Sequence, residues 1–130
     1  MLKITVVTPN GTLYDGEVDY VVIDGNAGQM GILENHVPVV VPVKEGFLKL
    51  VKGETELFYY LSGAILEDKQ NVVTVIAQEA SSGNTLEEAK KAFNNMRQKV
   101  KNENRQRLID FTKMEKELAK SIKDSKVGSL

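Results

Sequence analysis

The sequence predicts an α+β chain: an N-terminal β-sandwich of short, mostly antiparallel strands over residues 1–84, then a C-terminal antiparallel two-helix hairpin over residues 85–130. Three observations predict it. Up to Ser81-Ser82-Gly83-Asn84, apolar residues alternate with polar ones, or run in short bursts between Gly, Pro and Asn turns. Beyond that point there is no Pro and no Gly before Gly128, and apolar residues recur every three or four positions. Period two is the signature of a strand and period 3.6 that of a helix. The charge also changes sign. Residues 1–84 carry five Lys against eleven Asp or Glu, a formal −6, whereas residues 85–130 carry twelve Lys or Arg against seven acids, a formal +5.

Within the β half, Leu2, Ile4 and Val6 alternate with Lys3 and Thr5, as in a strand with one buried face. Pro9-Asn10-Gly11 makes a turn, because Pro presets φ and Gly tolerates positive φ. Val18–Ile23 is the next strand, closed by Asp24-Gly25-Asn26. His36–Val43 follows, and Lys44-Glu45-Gly46 turns the chain. Phe47, Leu48 and Leu50 lie on a further strand, and Lys52-Gly53-Glu54 reads as a hairpin turn. Thr55–Leu61 pairs back, Ala64–Leu66 is short, Asp68–Asn71 turns again, and Val72–Ala80 ends the domain. Short strands with turn signals about every 8–12 residues suit a sandwich or barrel. Pro38 and Pro42 interrupt an apolar run, which marks that strand as an edge or as irregular.

The helical half opens on a capping box, Thr85-Leu86-Glu87-Glu88, in which the Thr85 hydroxyl accepts from the Glu88 amide and the Glu88 carboxylate reaches back to Thr85. Leu86, Ala89, Phe93, Met96 and Val100 then form a seam with coiled-coil spacing. Six polar residues, 101–106, interrupt it before a second seam of Leu108, Phe111, Leu118 and Ile122. Two amphipathic stretches with a polar break predict the hairpin. Lys113, Lys116, Lys120 and Lys123 recur along one face of the second stretch as a basic stripe.

Composition and motifs exclude more than they assign. The chain has no Cys, so disulfides and thiolate metal sites are absent. His36 is the single histidine, which rules out a His-based metal cluster and leaves no Ser-His constellation. No catalytic or metal site is expected. Gly25, Gly28 and Gly31 lack the spacing of a dinucleotide or phosphate loop. Asp15, Glu17 and Asp19 read as a solvated strand face. The longest apolar run, Val37–Val43, is far short of the roughly 20 residues that span a bilayer. The only aromatics of the helical half, Phe93 and Phe111, sit on its seams and the chain is not basic overall, so an acidic protein surface fits the stripe better than nucleic acid.

Two longer segments carry a resemblance. Gly28-Gln29-Met30-Gly31-Ile32-Leu33-Glu34-Asn35-His36-Val37-Pro38 is similar to the Gly-Glu-Leu-Gly-Ile-x-Pro-Gly-His-Ala-Pro segment of the epsilon subunit of bacterial F-type ATP synthase. Tyr60-Leu61-Ser62-Gly63-Ala64-Ile65-Leu66-Glu67 is similar to its Tyr-Leu-Ser-Gly-Gly-Ile-Leu-Glu segment, and the helical tail matches in length and position. The resemblance implies a non-catalytic central-stalk subunit of a rotary proton-translocating ATP synthase. It implies partners: a gamma subunit, the membrane ring of c subunits, and the alpha and beta subunits when the arm is extended. It implies inhibition of ATP hydrolysis through the C-terminal helices, and a peripheral place on the cytoplasmic face of the bacterial membrane, without insertion into it. It assigns Gln29, Met30, His36 and Pro38 to the contact with the rotor ring and gamma.

The chain departs from the family at Gln29, where Glu is frequent, and at Glu34-Asn35, which replaces Pro-Gly. Some members bind ATP through Ile/Leu-Asp-x-x-Arg-Ala. Here Ile109, Asp110 and Lys113 fill the first, second and fifth places, Lys113 lacks the guanidinium fork, and Met114 is bulkier than Ala. No cofactor is expected, and regulatory ATP binding is expected to be weak or absent. The competing reading is a free-standing β-sandwich that binds a ligand and dimerises through its tail; a small enzyme has no constellation to support it.

Overall fold

The computed structural model describes the backbone of residues 1–128 and the side chains as far as Ala119. Seven strands precede one helix: β1 (Leu2–Thr8), β2 (Gly11–Val18), β3 (Tyr20–Gly25), β4 (Gly28–Ile32), β5 (Val39–Lys52), β6 (Thr55–Lys69), β7 (Val72–Gly83) and α1 (Leu86–Gly128). The strands hydrogen-bond in the order β2-β1-β7-β6-β5-β3-β4. Every pairing is antiparallel except β1 with β7. Leu2, Ile4 and Val6 are fully buried, as their alternation predicts, and join Val21, Ile23, Ile32, Leu48, Leu61, Leu66, Val73 and Val75 in one core.

The strands are fewer and longer than expected. Lys44-Glu45-Gly46 is not a turn but lies inside β5, and Ser62-Gly63, between two separate expected strands, lies inside β6; β5 and β6 run unbroken for 14 and 15 residues. The inward-facing residues change parity there. On β5 they are Val41 and Val43, then Leu48 and Leu50; on β6 they are Tyr59 and Leu61, then Ala64 and Leu66. Because the side-chain period is two, such a parity change marks a local irregularity in both strands. The ladder is interrupted there without a change of register: Val43 faces Ala64 and Glu45 faces Ser62, and Lys44 and Gly63 are stepped over together. Gly63 takes φ of 58°, open to a residue without Cβ. One seven-stranded sheet thus encloses a single core as a sandwich.

Gly11–Val18 is a strand paired along β1, whereas the sequence reading began its second strand at Val18. Asp15 and Glu17 are exposed on it as expected, but Asp19, after it, accepts the Gly53 amide at 2.6 Å and so fixes the β5–β6 turn. Pro42 is in β5, between β6 and β3 in strand order, yet β3 pairs only with Leu48–Val51. Pro42 therefore stands on a stretch with one neighbour, where its missing N–H costs no ladder bond.

Where a two-helix hairpin was expected, the described chain has one continuous helix of 43 residues. Residues 101–106 interrupt the apolar seam but contain neither Pro nor Gly. Lys, Glu, Arg and Gln are good helix formers and Asn only a moderate one, so a polar stretch changes the face of a helix without ending it. The N-terminus is capped as predicted. The Glu88 amide donates to Thr85 Oγ1 at 3.1 Å and the Ala89 amide to the Thr85 carbonyl at 3.1 Å. The Glu88 carboxylate accepts from the Asn84 amide at 3.0 Å, one residue before the cap.

The chain divides into two compact units, Met1–Asn94 and Asn95–Leu130. The first two turns of α1 belong to the first. Ala89 and Phe93 are fully buried there, with the Phe93 ring edge-on to Tyr60 at 4.9 Å between centroids and Lys90 Nζ 5.7 Å from the Tyr60 ring. A Cβ on Gly83 would overlap the Ala89 backbone nitrogen, so glycine lets the chain turn tightly from strand into helix. No helix among the described residues is long and apolar enough to cross a membrane.

Candidate functional site

The four residues assigned to the rotor contact fall on two consecutive segments. Gln29 and Met30 are on β4, the last strand of the sheet order, opposite Asp24 and Ile23 of β3. Gln29 is exposed, whereas Met30 is half-buried and packs against the core. His36 and Pro38 follow in the Leu33–Pro38 connection, His36 half-buried and Pro38 exposed. Leu33 and Val37, 59% and 71% exposed, flank His36. The apolar character of this connection escapes a sequence reading, because Leu33 and Val37 there look like ordinary strand residues.

The connection is tied to the β6–β7 turn by several contacts. The Asn35 amide donates to Asn71 Oδ1 at 2.6 Å, and Asn71 Nδ2 donates back to Asn35 Oδ1 at 3.3 Å. Asn35 and Asn71 both have positive φ, 63° and 61°, which Asn tolerates better than most residues. The Met1 amino group pairs with Glu34 at 3.2 Å, and the Lys3 amide donates to the Asn71 carbonyl. His36 Nδ1–H donates to the Val37 carbonyl at 2.7 Å and lies 3.7 Å from Asp68 Oδ2.

Asp68 is the unusual group. It is 1% exposed, and neither carboxylate oxygen has a hydrogen-bond donor among the described residues. Burial pushes its carboxyl above the ordinary range, and the His36 charge pulls it partly back. Sequence reading placed Asp68 in a turn, where acids are common. Its burial follows from β6 running on through Lys69, which puts Asp68 in the inward row after Ala64 and Leu66.

On the helix, Leu108, Ile109, Phe111, Met114 and Leu118 are each more than half exposed, and Lys113 and Lys116 are exposed beside them. Ile109 and Lys113 share a shallow surface depression with Leu108, Thr112 and Lys116. Asp110 is not part of it and accepts from Gln106 Nε2 at 3.2 Å. The helix thus brings together two of the three residues named for ATP. The side chains of Lys120, Ile122 and Lys123 lie outside the described residues. Among those described, no cluster of His, Cys, Asp or Glu is suited to hold a metal.

Residues 1–83 match the family model described as the β-sandwich domain of the ATP synthase delta/epsilon chain. The ATP synthase epsilon chain of Halalkalibacterium halodurans is 34% identical over 125 residues, covering 92% of this chain and 91% of its own. That of Alkalihalophilus pseudofirmus is 33% identical over 111 residues, covering 85% and 84%. Among solved structures, a chain of the Euglena gracilis mitochondrial ATP synthase, in a complex of OSCP, F1 and c-ring, superposes with a TM-score of 0.59 at 25% identity, over 62% of this chain and 52% of that one. A chain from the central stalk and c-ring of Tetrahymena thermophila mitochondrial ATP synthase shares the fold, with a TM-score of 0.51 at 14% identity over 61% and 64%.

Proposed function

The chain belongs to the ATP synthase delta/epsilon family, and from that premise we propose that it is a central-stalk subunit of a rotary ATP synthase, with no active site of its own. The observation that carries the proposal is that relatives named ATP synthase epsilon chain match the β-sandwich and the helical arm together, over nine-tenths of both chains in the Halalkalibacterium case. In this reading the sandwich is the foot. The Leu33–Pro38 connection and the exposed edge of β4 at Gln29 meet the rotor ring and a gamma subunit. An exposed apolar connection beside a polar edge suits a protein surface. The subunit sits at the membrane periphery on the cytoplasmic face, as a passenger of the complex.

The arm is the regulatory part. Its apolar row and its lysines lie along one helix, as an element that seats between acidic and apolar protein surfaces requires. With the arm extended, contact with the alpha and beta subunits obstructs rotation and so inhibits hydrolysis. A folded two-helix form, bent within residues 101–106, is the second state, in which the head is released. Regulation by ATP is a weaker proposal. Ile109 and Lys113 offer one wall of a site, Asp110 is engaged by Gln106, and a lysine meets phosphate as a point charge.

Co-expression with a gamma-type subunit tests the function. The expected result is a one-to-one complex that joins a catalytic head and lowers its ATPase activity. A chain that stays free and dimerises through residues 95–128 would replace this reading with the free-standing sandwich.

A further inference from the structure

Asp68 of β6 and His36 of the Leu33–Pro38 connection meet where that connection is tied to the β6–β7 turn. Asp68 is the inward residue of β6, and its register partners are apolar: Val39 on β5 and Val73 on β7, with Ile4 of β1 beyond. The turn that follows, Gln70-Asn71, is uncharged, and the exposed Lys69 points from the next strand position. From the connection, Glu34 is engaged by the Met1 amino group. His36 is therefore the titratable group that faces the buried carboxyl, and the single countercharge described near it.

We propose that His36 and Asp68 form a proton-dependent clasp that seats the Leu33–Pro38 connection on the β6–β7 end of the sandwich. The pair has four microscopic states. With both protons it is an imidazolium beside a carboxylic acid, and the buried carboxyl is neutral. With one proton between them, it is either an imidazolium beside a carboxylate or an imidazole beside a carboxylic acid, and no charge is left buried alone. Loss of that proton to solvent leaves a carboxylate that is 1% exposed, without a hydrogen-bond donor and without a countercharge. Such a group is costly to keep buried. The cheapest relief is for the connection to lift and admit water, because what holds it besides His36 is the Asn35–Asn71 pair and an exposed ion pair at Met1. The burial that raises the Asp68 pKa supports this order of events. Any effect on the rotor contact rests on the function proposed above; the clasp itself is a property of the isolated chain.

The test is amide hydrogen exchange, followed by NMR on the full-length chain. Protection at the Asn35 and His36 amides is expected to fall by up to about tenfold per unit of pH as the proton is lost, while Val75 in the centre of the sheet keeps its protection. In Asp68→Asn the fall should vanish, since no charge is created on deprotonation. As a second variant, His36→Gln removes the countercharge, and the loss of protection should move to a different pH that follows the Asp68 carboxyl signal alone. Constant protection in the wild-type chain, or an unchanged fall in Asp68→Asn, overturns the clasp, as does an unchanged midpoint in His36→Gln. None of these readouts involves a partner, so the clasp and the stalk assignment fail separately.

Discussion

Asp68 shows at the scale of one residue how a fold carries a charge that it does not solvate. Burial raises its carboxyl pKa, with His36 acting in the opposite sense. A group whose pKa is higher folded than unfolded contributes stability that is complete below the unfolded value, about 3.9 for Asp, and is lost as pH rises through the folded value. The domain should therefore lose stability on the alkaline side of the Asp68 titration. Asp68→Asn keeps the shape and removes the charge. We expect it to raise unfolding free energy at alkaline pH by about 1–3 kcal/mol, the usual cost of a buried group without a partner, and to give no gain below about pH 4. Urea denaturation of both proteins at the two pH values checks this. A gain of equal size at both would mean that packing, not charge, sets the effect.

At the scale of elements, strands were legible where the period of two is unbroken and misread where it shifts. β1 is legible in the alternation of Leu2, Ile4 and Val6, and the helix start in Thr85 and Glu88. The sequence pattern divides β5 and β6 in two, because a parity change beside Gly46 or Gly63 has the same signature as a break between strands. The hairpin was read from a break in the apolar seam, but seam and backbone are separate properties, and residues 101–106 keep the backbone helical. Of the rotor-contact residues, exposure was legible for Gln29 and Pro38, while the packing of Met30 depends on the partner layer and could not be read locally. Gly46 tests the packing where the parity of β5 changes. A Cβ there would overlap the Asp24 carbonyl and crowd Val43, both backbone or packed neighbours. Gly46→Ala should cost about 1–3 kcal/mol by overpacking, read from the denaturation midpoint, whereas alanine at Gly53, where the same Cβ meets nothing, should pay only for its positive φ. The helix face makes its own prediction. One exposed pair contributes about 0–1 kcal/mol, but four lysines on one stripe add up. Changing Lys113, Lys116, Lys120 and Lys123 to Gln should raise ATPase activity of the assembled complex, with the difference shrinking at high salt. Equal inhibition at low salt would remove the stripe from the mechanism.

For the whole molecule, the question is where the part that folds alone ends. The sequence changes its grammar at Ser81–Asn84, but the compact unit runs to Asn94. The difference is Ala89 and Phe93, which helical periodicity assigns to the arm and packing assigns to the sandwich. Phe93 is the largest fully buried side chain described, and it covers the outer face of β6 at Tyr60. Removing such a ring costs about 3–5 kcal/mol, a large part of the 5–15 kcal/mol that holds a small domain together. A chain cut after Asn94 should therefore fold cooperatively and still join the stalk. A chain cut after Gly83 should lose several kcal/mol, because Tyr60 is uncovered and the cap that holds the end of β7 is gone. Thermal unfolding of the two truncations, with Phe93→Ala in the full chain as a third case, separates the alternatives. If the Gly83 truncation is as stable as the Asn94 truncation, the first turns of α1 are cargo of the arm, and the structural unit ends where the sequence pattern does.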